Sequence, residues 1–186
     1  MGMIYAGTRI LTFFGAYLRT FWEHVACRLC KIAVEDIRAF KSGEMCGHVE
    51  HEMVKKTSHS FIVCWLPFTM NFFIGCMLLM SGAYKLIYIG ATDSAFDYAA
   101  LWLGISCLTN CSPSFEDAIA FKDNLYKGGG FTRKIILTPF FVVFYVMSFL
   151  ERFGLTLLLA IGFSIAFPYL FAYAFPLVHV IFTNPT

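Results

Sequence analysis

Residues 61–91 read FIVCWLPFTMNFFIGCMLLMSGAYKLIYIGA, and Lys85 is the one charged side chain among them. A helix needs about 20 mostly apolar residues to cross the hydrocarbon core of a bilayer. The stretch is long enough for one crossing with residues to spare. It therefore predicts a membrane span over residues 61–83.

The composition of the whole chain favours a membrane protein as well. Of its 186 residues, 59% are hydrophobic and 14% are charged, and 22 are Phe. Soluble domains carry about 25% charged residues, and a soluble domain of this size has too little interior to bury so much apolar surface. The expected partner is thus the lipid bilayer. The net charge of +2 gives no reason to propose a nucleic-acid partner.

Four further segments are candidate spans. Two apolar runs near the C-terminus are separated by Glu151-Arg152, and two weaker ones are either short or carry Arg9 and Arg19. The prediction is a single membrane domain, residues 1–186, of the all-α class. It would be a polytopic transmembrane helical bundle of about five spans, at residues 4–22, 61–83, 97–112, 135–150 and 153–182.

The basic residues of the connecting loops predict how the bundle is oriented. They concentrate in residues 27–58 and 113–134, whereas the intervening loops carry only Lys85 and Arg152. Cytoplasmic loops of membrane proteins are enriched in Lys and Arg. We therefore expect both basic loops to be cytoplasmic, the N-terminus and the loop around Arg152 to be outside, and the C-terminus to be inside.

Carboxylate and imidazole side chains occur at the cytoplasmic ends of the expected helices. Glu23 and His24 end the first helix, Asp117 follows the third, and the loop between holds His48 and His51. Such side chains are ligands for zinc and other divalent metals. Glu23, His24 and Asp117 are the candidate catalytic residues, and His24, His48, His51 and Asp117 are candidate metal ligands. We expect Glu23 or His24 to lie on the order of 10 Å from Asp117 or Asn110, the scale of helix spacing.

Two alternative interpretations stay open. Arg19 and Glu23 are four residues apart and could form an ordinary ion pair on one helix face. A structural zinc site is the other alternative, since Cys27-x-x-Cys30 precedes Cys46-x-His48 at a spacing near that of zinc-binding domains. Its ligands would be Cys27, Cys30, Cys46 and His48.

The order of these motifs resembles that of the site-2 proteases, a family of intramembrane zinc metalloproteases. Members carry His-Glu-x-x-His on an early helix and Asn-x-x-Pro with a following Asp on a later one. Asn110-x-x-Pro113 followed by Asp117 is similar to the second motif. Segments of one branch of the family are also similar to Gly15, Cys27-Arg28 and Gly47-His48-Val49-Glu50-His51-Glu52. The resemblance covers roughly residues 10–120, and the expected location is a bacterial cytoplasmic membrane.

The first motif of the family is degenerate in this chain. Aligned by the resemblance, Arg19 and Glu23 take the two histidine positions, and Thr20 takes that of the general base. Zinc proteases need a metal-bound water and a base, and a cationic ligand position repels metal. We therefore expect a divergent, non-proteolytic member that binds a membrane partner. The alternatives are an atypical active intramembrane zinc metalloprotease and a membrane scaffold with a cytoplasmic structural zinc site. Zinc is the candidate cofactor, and the sequence does not decide whether the chain is an enzyme.

Overall fold

The computed structural model describes residues 2–38, 47–91, 94–128 and 130–174. It is predominantly helical, which confirms the predicted all-α class. The helices are α1 (Gly2–Leu11), α2 (Phe13–Leu29), α3 (Thr57–Ala83), α4 (Ala95–Thr109), α5 (Phe115–Gly128), α6 (Phe131–Arg152) and α7 (Leu155–Ala174). A π-helical segment, Tyr84–Ile89, continues α3. Strands β1 (Val34–Arg38) and β2 (His48–His51) pair as one antiparallel hairpin inside the loop predicted at residues 27–58.

Three helices among the described residues are long and apolar enough to cross a membrane. They are α3 with its π-helical segment (33 residues), α6 (22 residues) and α7 (20 residues). The chain is therefore compatible with an integral membrane protein. The expected number of about five spans is not confirmed, because α4 is apolar but has only 15 residues, and residues 4–22 do not form one continuous helix.

The predicted first span is divided at Thr12. This residue has non-helical backbone angles (φ −112°, ψ 38°) and separates α1 from α2, which continues to Leu29. Arg9 and Arg19, the two charges that interrupt the apolar run, are 3% and 0% exposed. The segment thus tolerates two arginines because both face the inside of the bundle, away from lipid.

Helix α5 lies where the sequence predicted a loop at residues 113–134. The hydroxyl of Ser114 accepts a hydrogen bond from the backbone N–H of Asp117 (2.9 Å) and caps the helix. Phe121 and Leu125 are buried against α3 and α6, whereas the opposite face is polar. The sequence reading missed this helix because only one of its faces is apolar.

The two loops predicted to be cytoplasmic meet at one end of the bundle. Thr57, at the start of α3, donates a hydrogen bond to the backbone carbonyl of Asn124 in α5 (2.9 Å). At the other end of α3, the backbone at Gly82 lies against Asp97 at the start of α4. The structure thus separates the two ends as the loop charges require, and the membrane side of each stays a prediction.

Helices α6 and α7 run in the same direction along α3, one after the other. Four ring pairs, with centroids 5.6 to 6.2 Å apart, join α3 and its π-helical segment to α6 and α7, and residue numbers rise together in both partners from the first pair to the last. They are Phe61–Phe140, Phe68–Phe144, Phe72–Phe163 and Tyr84–Phe171. The chain therefore does not reverse between the two helices, as an outer loop around Arg152 would require. Instead the interruption lies inside the bundle, where Glu151 is 7% exposed.

Small and polar residues hold α2, α3 and α4 together. A Cβ atom at Gly15 would overlap the backbone carbonyl of Ser106, so only glycine permits this approach of α2 to α4. The side-chain amide of Asn71 in α3 donates to the carbonyl oxygens of Gly15 (3.2 Å) and Asn110 (2.9 Å). These contacts fix the position of α2, which carries the polar residues of the candidate site.

Candidate metal centre

Glu23, His51 and Asp117 converge from three elements of the fold. Glu23 lies in α2, His51 ends β2, and Asp117 lies in the first turn of α5. One potential ligand atom from each side chain lies within 4.8 Å of those of the other two. The expected proximity of Glu23 and Asp117 is thus confirmed. We call these three residues the metal centre, a name for a candidate site whose occupation by a metal stays a prediction.

The hairpin is docked onto α2 by Glu23 itself. The carboxylate oxygen Oε2 of Glu23 accepts a hydrogen bond from the backbone N–H of Val49 in β2 (3.1 Å). This bond sets the register of β2 over the helix and brings His51 to the site. Glu23 is 2% exposed, and its second oxygen, Oε1, lies 3.5 Å from Nδ1 of His48.

The ring of His51 is oriented from both sides. Its Nδ1 lies 3.0 Å from the backbone carbonyl of Glu52, and its Nε2 lies 3.1 Å from Oδ1 of Asp117. Because a carbonyl only accepts hydrogen bonds, Nδ1 carries the proton, and Nε2 can offer its lone pair when the ring is neutral. Histidine ligands of metals are oriented by the same kind of hydrogen bond.

His51 and Asp117 form an imidazolium–carboxylate pair at neutral pH. The hydrogen bond to Asp117 raises the pKa of His51 to about 9, against the opposing effect of burial. Burial alone would raise the pKa of Asp117, but the hydrogen bond and the positive charge of His51 lower it below its usual value. Ser114 stabilises the same carboxylate by donating its hydroxyl to Oδ2 (2.6 Å).

The donor set of the centre fits a divalent cation. Carboxylate oxygens suit Mg²⁺ and Mn²⁺, imidazole suits Zn²⁺ and Fe²⁺, and the mixture suits a metal that accepts both. Two carboxylates this close repel each other unless a cation or a proton lies between them. Three protein ligands would also leave coordination positions for water.

The histidines predicted as ligands separate into two groups. The structure brings His51 and Asp117 of that set together, whereas His24 is not part of the centre and lies 3.4 Å from the guanidinium of Arg28. His48 is bound to Arg19, whose Nη2 lies 2.7 Å from Nε2 of the ring. The structure therefore brings neither His24 nor His48 together with His51 and Asp117 as one metal-binding group, and the ligand set stays a prediction.

The alternative cysteine site is not supported by the described residues. Cys27 is buried in an apolar cluster with Ala26, Val54 and Val63, while Cys30 ends α2, where burial raises the pKa of its thiol. Cys46, the third predicted ligand, lies outside the described residues. Within the described ranges, Cys27, Cys30 and His48 do not form a metal-binding group.

A second buried group of charges lies beside the metal centre. Oε1 of Glu151 accepts hydrogen bonds from Arg9 and, at 3.0 Å, from Arg19, and Oε2 accepts one from Ser112. We call Arg9, Arg19, Ser112 and Glu151 the Glu151 cluster. Sequence reasoning missed it, although two arginines in an apolar helix require a buried anion. The sequence signal for this cluster is Glu151, the one acidic residue between the last two apolar runs.

His48 lies between the two groups. Its Nδ1 is 3.5 Å from Oε1 of Glu23, and its Nε2 is 3.5 Å from Oε1 of Glu151. Burial and the positive charges of Arg19 and Arg9 lower the pKa of His48 well below its usual value. The ring is therefore neutral and accepts a hydrogen bond from Arg19.

No family model matches this chain, and no curated protein or solved structure matches it either. The resemblance to the site-2 proteases accordingly stays a prediction from short motifs. At two of the three motif positions that differ from the resembled motif, the side chains are bound elsewhere: the guanidinium of Arg19 is bound to Glu151 and His48. The hydroxyl of Thr20 donates to the carbonyl of Ala16 (2.9 Å).

Proposed function

We propose that this chain is a metalloprotease-like membrane protein that binds one divalent metal ion through Glu23, His51 and Asp117 and does not cleave peptide bonds. The observation that supports the proposal is the convergence of the three side chains within 4.8 Å in a buried site. Their donors come from a helix, a hairpin and a second helix, so a bound ion would join three elements.

The environment of the site supports binding without proteolysis. Metal-dependent hydrolysis needs a base beside the metal-bound water. Thr20 occupies the base position of the resembled motif, and its hydroxyl is bonded to the backbone. Glu23 is already bonded to Val49 and serves as a ligand. An arrangement of this kind is suited to holding the hairpin in place for a membrane partner.

The metal would contribute mainly to structure. Ligands that are far apart in sequence are brought together only in the folded state, so metal binding adds directly to folding free energy. The hairpin has four residues in β2 and five in β1. Such a short hairpin is marginal by itself, and the ion would strengthen its attachment to α2 and α5.

Equilibrium dialysis of the detergent-purified protein against Mn²⁺ and Zn²⁺ tests the proposal. We expect one ion per chain and a loss of affinity of at least about 100-fold in Asp117→Asn, which removes a ligand. Glu116→Gln is the matched control, since Glu116 is exposed on the same helix turn. Absence of binding, or equal binding by Asp117→Asn and the native chain, would overturn the proposal.

The absence of proteolysis is tested separately. The purified protein, loaded with Zn²⁺ or Mn²⁺, is incubated with a set of transmembrane peptides, and products are followed by mass spectrometry. We expect no cleavage that chelators suppress. Chelator-sensitive cleavage that disappears in Asp117→Ala would support the active metalloprotease instead.

A further inference from the structure

We propose that Glu151 is a positioning residue for the metal centre: it holds the guanidinium of Arg19 away from Glu23 and so leaves that carboxylate free for a cation. The inference rests on the proposed metal binding and adds a residue from α6, distant in sequence, that controls it. Glu151 itself is not a metal ligand in this account, because Arg9, Arg19 and Ser112 occupy its oxygens.

Arg19 and Glu23 do not form the ion pair that their spacing in the sequence favours. Arg19 and Glu23 are four residues apart on α2, and side chains at this spacing are neighbours on a helix surface. Yet Nη1 of Arg19 donates to Glu151 (3.0 Å), and Nη2 lies against His48 (2.7 Å). Both terminal nitrogens of the guanidinium are therefore engaged away from Glu23.

Glu23 is bonded on its other side. Its Oε2 accepts the backbone N–H of Val49, and its carboxylate group lies with His51 and Asp117. Because Arg19 is fully buried, it cannot satisfy its charge with water. If Glu151 is removed, the anion within reach of Arg19 on α2 is the carboxylate of Glu23, one helical turn away.

Glu151 is well fixed for this role. It lies at the end of α6, is 7% exposed, and is held by hydrogen bonds from α1, α2 and the link between α4 and α5. The interruption between α6 and α7 brings the carboxylate into the bundle at the level of Arg19. A continuous apolar helix at this position would leave both arginines without an anion.

Release of Arg19 would weaken metal binding for two reasons. A divalent cation would have to break a charge-assisted hydrogen bond between Arg19 and Glu23, which is stronger than a neutral one. The guanidinium would also repel the cation across a short distance in a buried, low-dielectric site. Both effects act through the guanidinium of Arg19, so they vanish when Arg19 is replaced by a neutral residue. A purely structural role for Glu151 has no such dependence.

The test is a double-mutant cycle read out as the Kd of Mn²⁺ for the detergent-purified full chain. We expect Glu151→Gln to weaken binding at least about tenfold, the equivalent of one charge-assisted hydrogen bond. Arg19→Gln should bind at least as tightly as the native chain. The double variant Arg19→Gln/Glu151→Gln should bind like Arg19→Gln, since no guanidinium is left to release. Equal binding by Glu151→Gln and the native chain, or a double variant as weak as Glu151→Gln, overturns the inference.

If Glu151→Gln folds too poorly to be measured, His48→Gln in the native chain and in the Arg19→Gln variant tests the same role of Arg19. His48→Gln removes the other contact of Arg19 and should weaken Mn²⁺ binding in the native background. It should leave binding unchanged in the Arg19→Gln background, and weakening in both backgrounds contradicts the role of Arg19. If the native chain itself binds no metal, the proposed function fails. If it binds metal but the cycle shows no coupling, only the role of Glu151 fails.

Discussion

The metal centre and the Glu151 cluster are neighbouring buried groups that balance their charges in different ways. The Glu151 cluster has two guanidinium groups for one carboxylate. The metal centre has two carboxyl groups for one imidazole, and burial together with the charge of Asp117 raises the pKa of Glu23 to about 8, so Glu23 is largely protonated at neutral pH. Arginine stays protonated in proteins, so the first group contains its cations permanently. The metal centre instead depends on the protons of His51 and Glu23, which a metal ion can replace. Only the metal centre should therefore respond to metal and to mild changes of pH.

The largest predicted effect comes from removing the anion of the Glu151 cluster. Glu151→Gln leaves Arg9 buried without its counter-charge and forces Arg19 to turn to Glu23, and breaking a buried ion pair on one side costs about 3–5 kcal/mol. Chemical or thermal unfolding in detergent measures the loss. The exposed control Glu116→Gln should stay within about 0.5 kcal/mol of the native chain. A loss below about 1 kcal/mol for Glu151→Gln would mean that Glu151 is not the main counter-charge of the two arginines.

A smaller effect is predicted where α2, which carries residues of both groups, touches α4. In Gly15→Ala the new Cβ would overlap the backbone at Ser106, and such overpacking costs about 1–3 kcal/mol. Gly162→Ala is the matched control, because a Cβ at Gly162 has no neighbour within 4 Å. It should gain about 0.5–1 kcal/mol from helix propensity. The free energies of unfolding of both variants, measured side by side, test the prediction. A change of the same sign in both variants would contradict the close packing of α2 on α4.

The smallest predicted effect is the pH dependence of the metal centre. The pKa of His51 is raised to about 9, so its stabilising contribution is complete below the unfolded value of about 6.5 and is lost as pH rises to about 9. The lowered pKa of Asp117 acts at the other end, with stability lost as pH falls below its usual value. The midpoint of thermal unfolding should fall between pH 6.5 and 9, and His51→Gln should remove part of that fall. An unchanged slope in His51→Gln would exclude the pair as its cause.

Metal affinity should depend on pH in the opposite direction. Because the ring of His51 is protonated at neutral pH, a metal ion must displace its proton. Affinity should rise by at least about tenfold per pH unit between pH 7 and 8, since His51 must release one proton and Glu23, whose pKa burial raises to about 8, must release a second. Isothermal titration in two buffers of different ionisation enthalpy measures the released protons. Affinity that is flat over this range would show that His51 is not a ligand.

The sequence predicts the apolar helices well because lipid makes their pattern simple. Residues 61–83 and 135–150 fall inside α3 and α6, since an unbroken apolar run needs no knowledge of its neighbours. Helix α5 was missed because its apolar face is narrow. The direction of α7 was also not predictable, as it depends on Glu151 being buried rather than on any local pattern.

The sequence points to each residue of the candidate site, with Glu23 as a catalytic candidate and His51 and Asp117 as candidate ligands, but not to their grouping. Glu23, His51 and Asp117 were each named, since carboxylates and imidazoles near helix ends are readable. His24 was grouped with them because it follows Glu23, yet successive residues point about 100° apart around a helix. The pairing of Arg19 with Glu151 joins residues separated by 132 positions. No local spacing reports such a contact.

Pulsed electron paramagnetic resonance of bound Mn²⁺ tests most directly which group holds a cation. The nitrogen modulation of the signal counts the imidazole ligands. We expect one imidazole, with the modulation lost in His51→Gln and retained in His24→Gln and His48→Gln. Modulation from two imidazoles in the native chain, or modulation that persists in His51→Gln, would contradict the assignment of the metal centre to Glu23, His51 and Asp117.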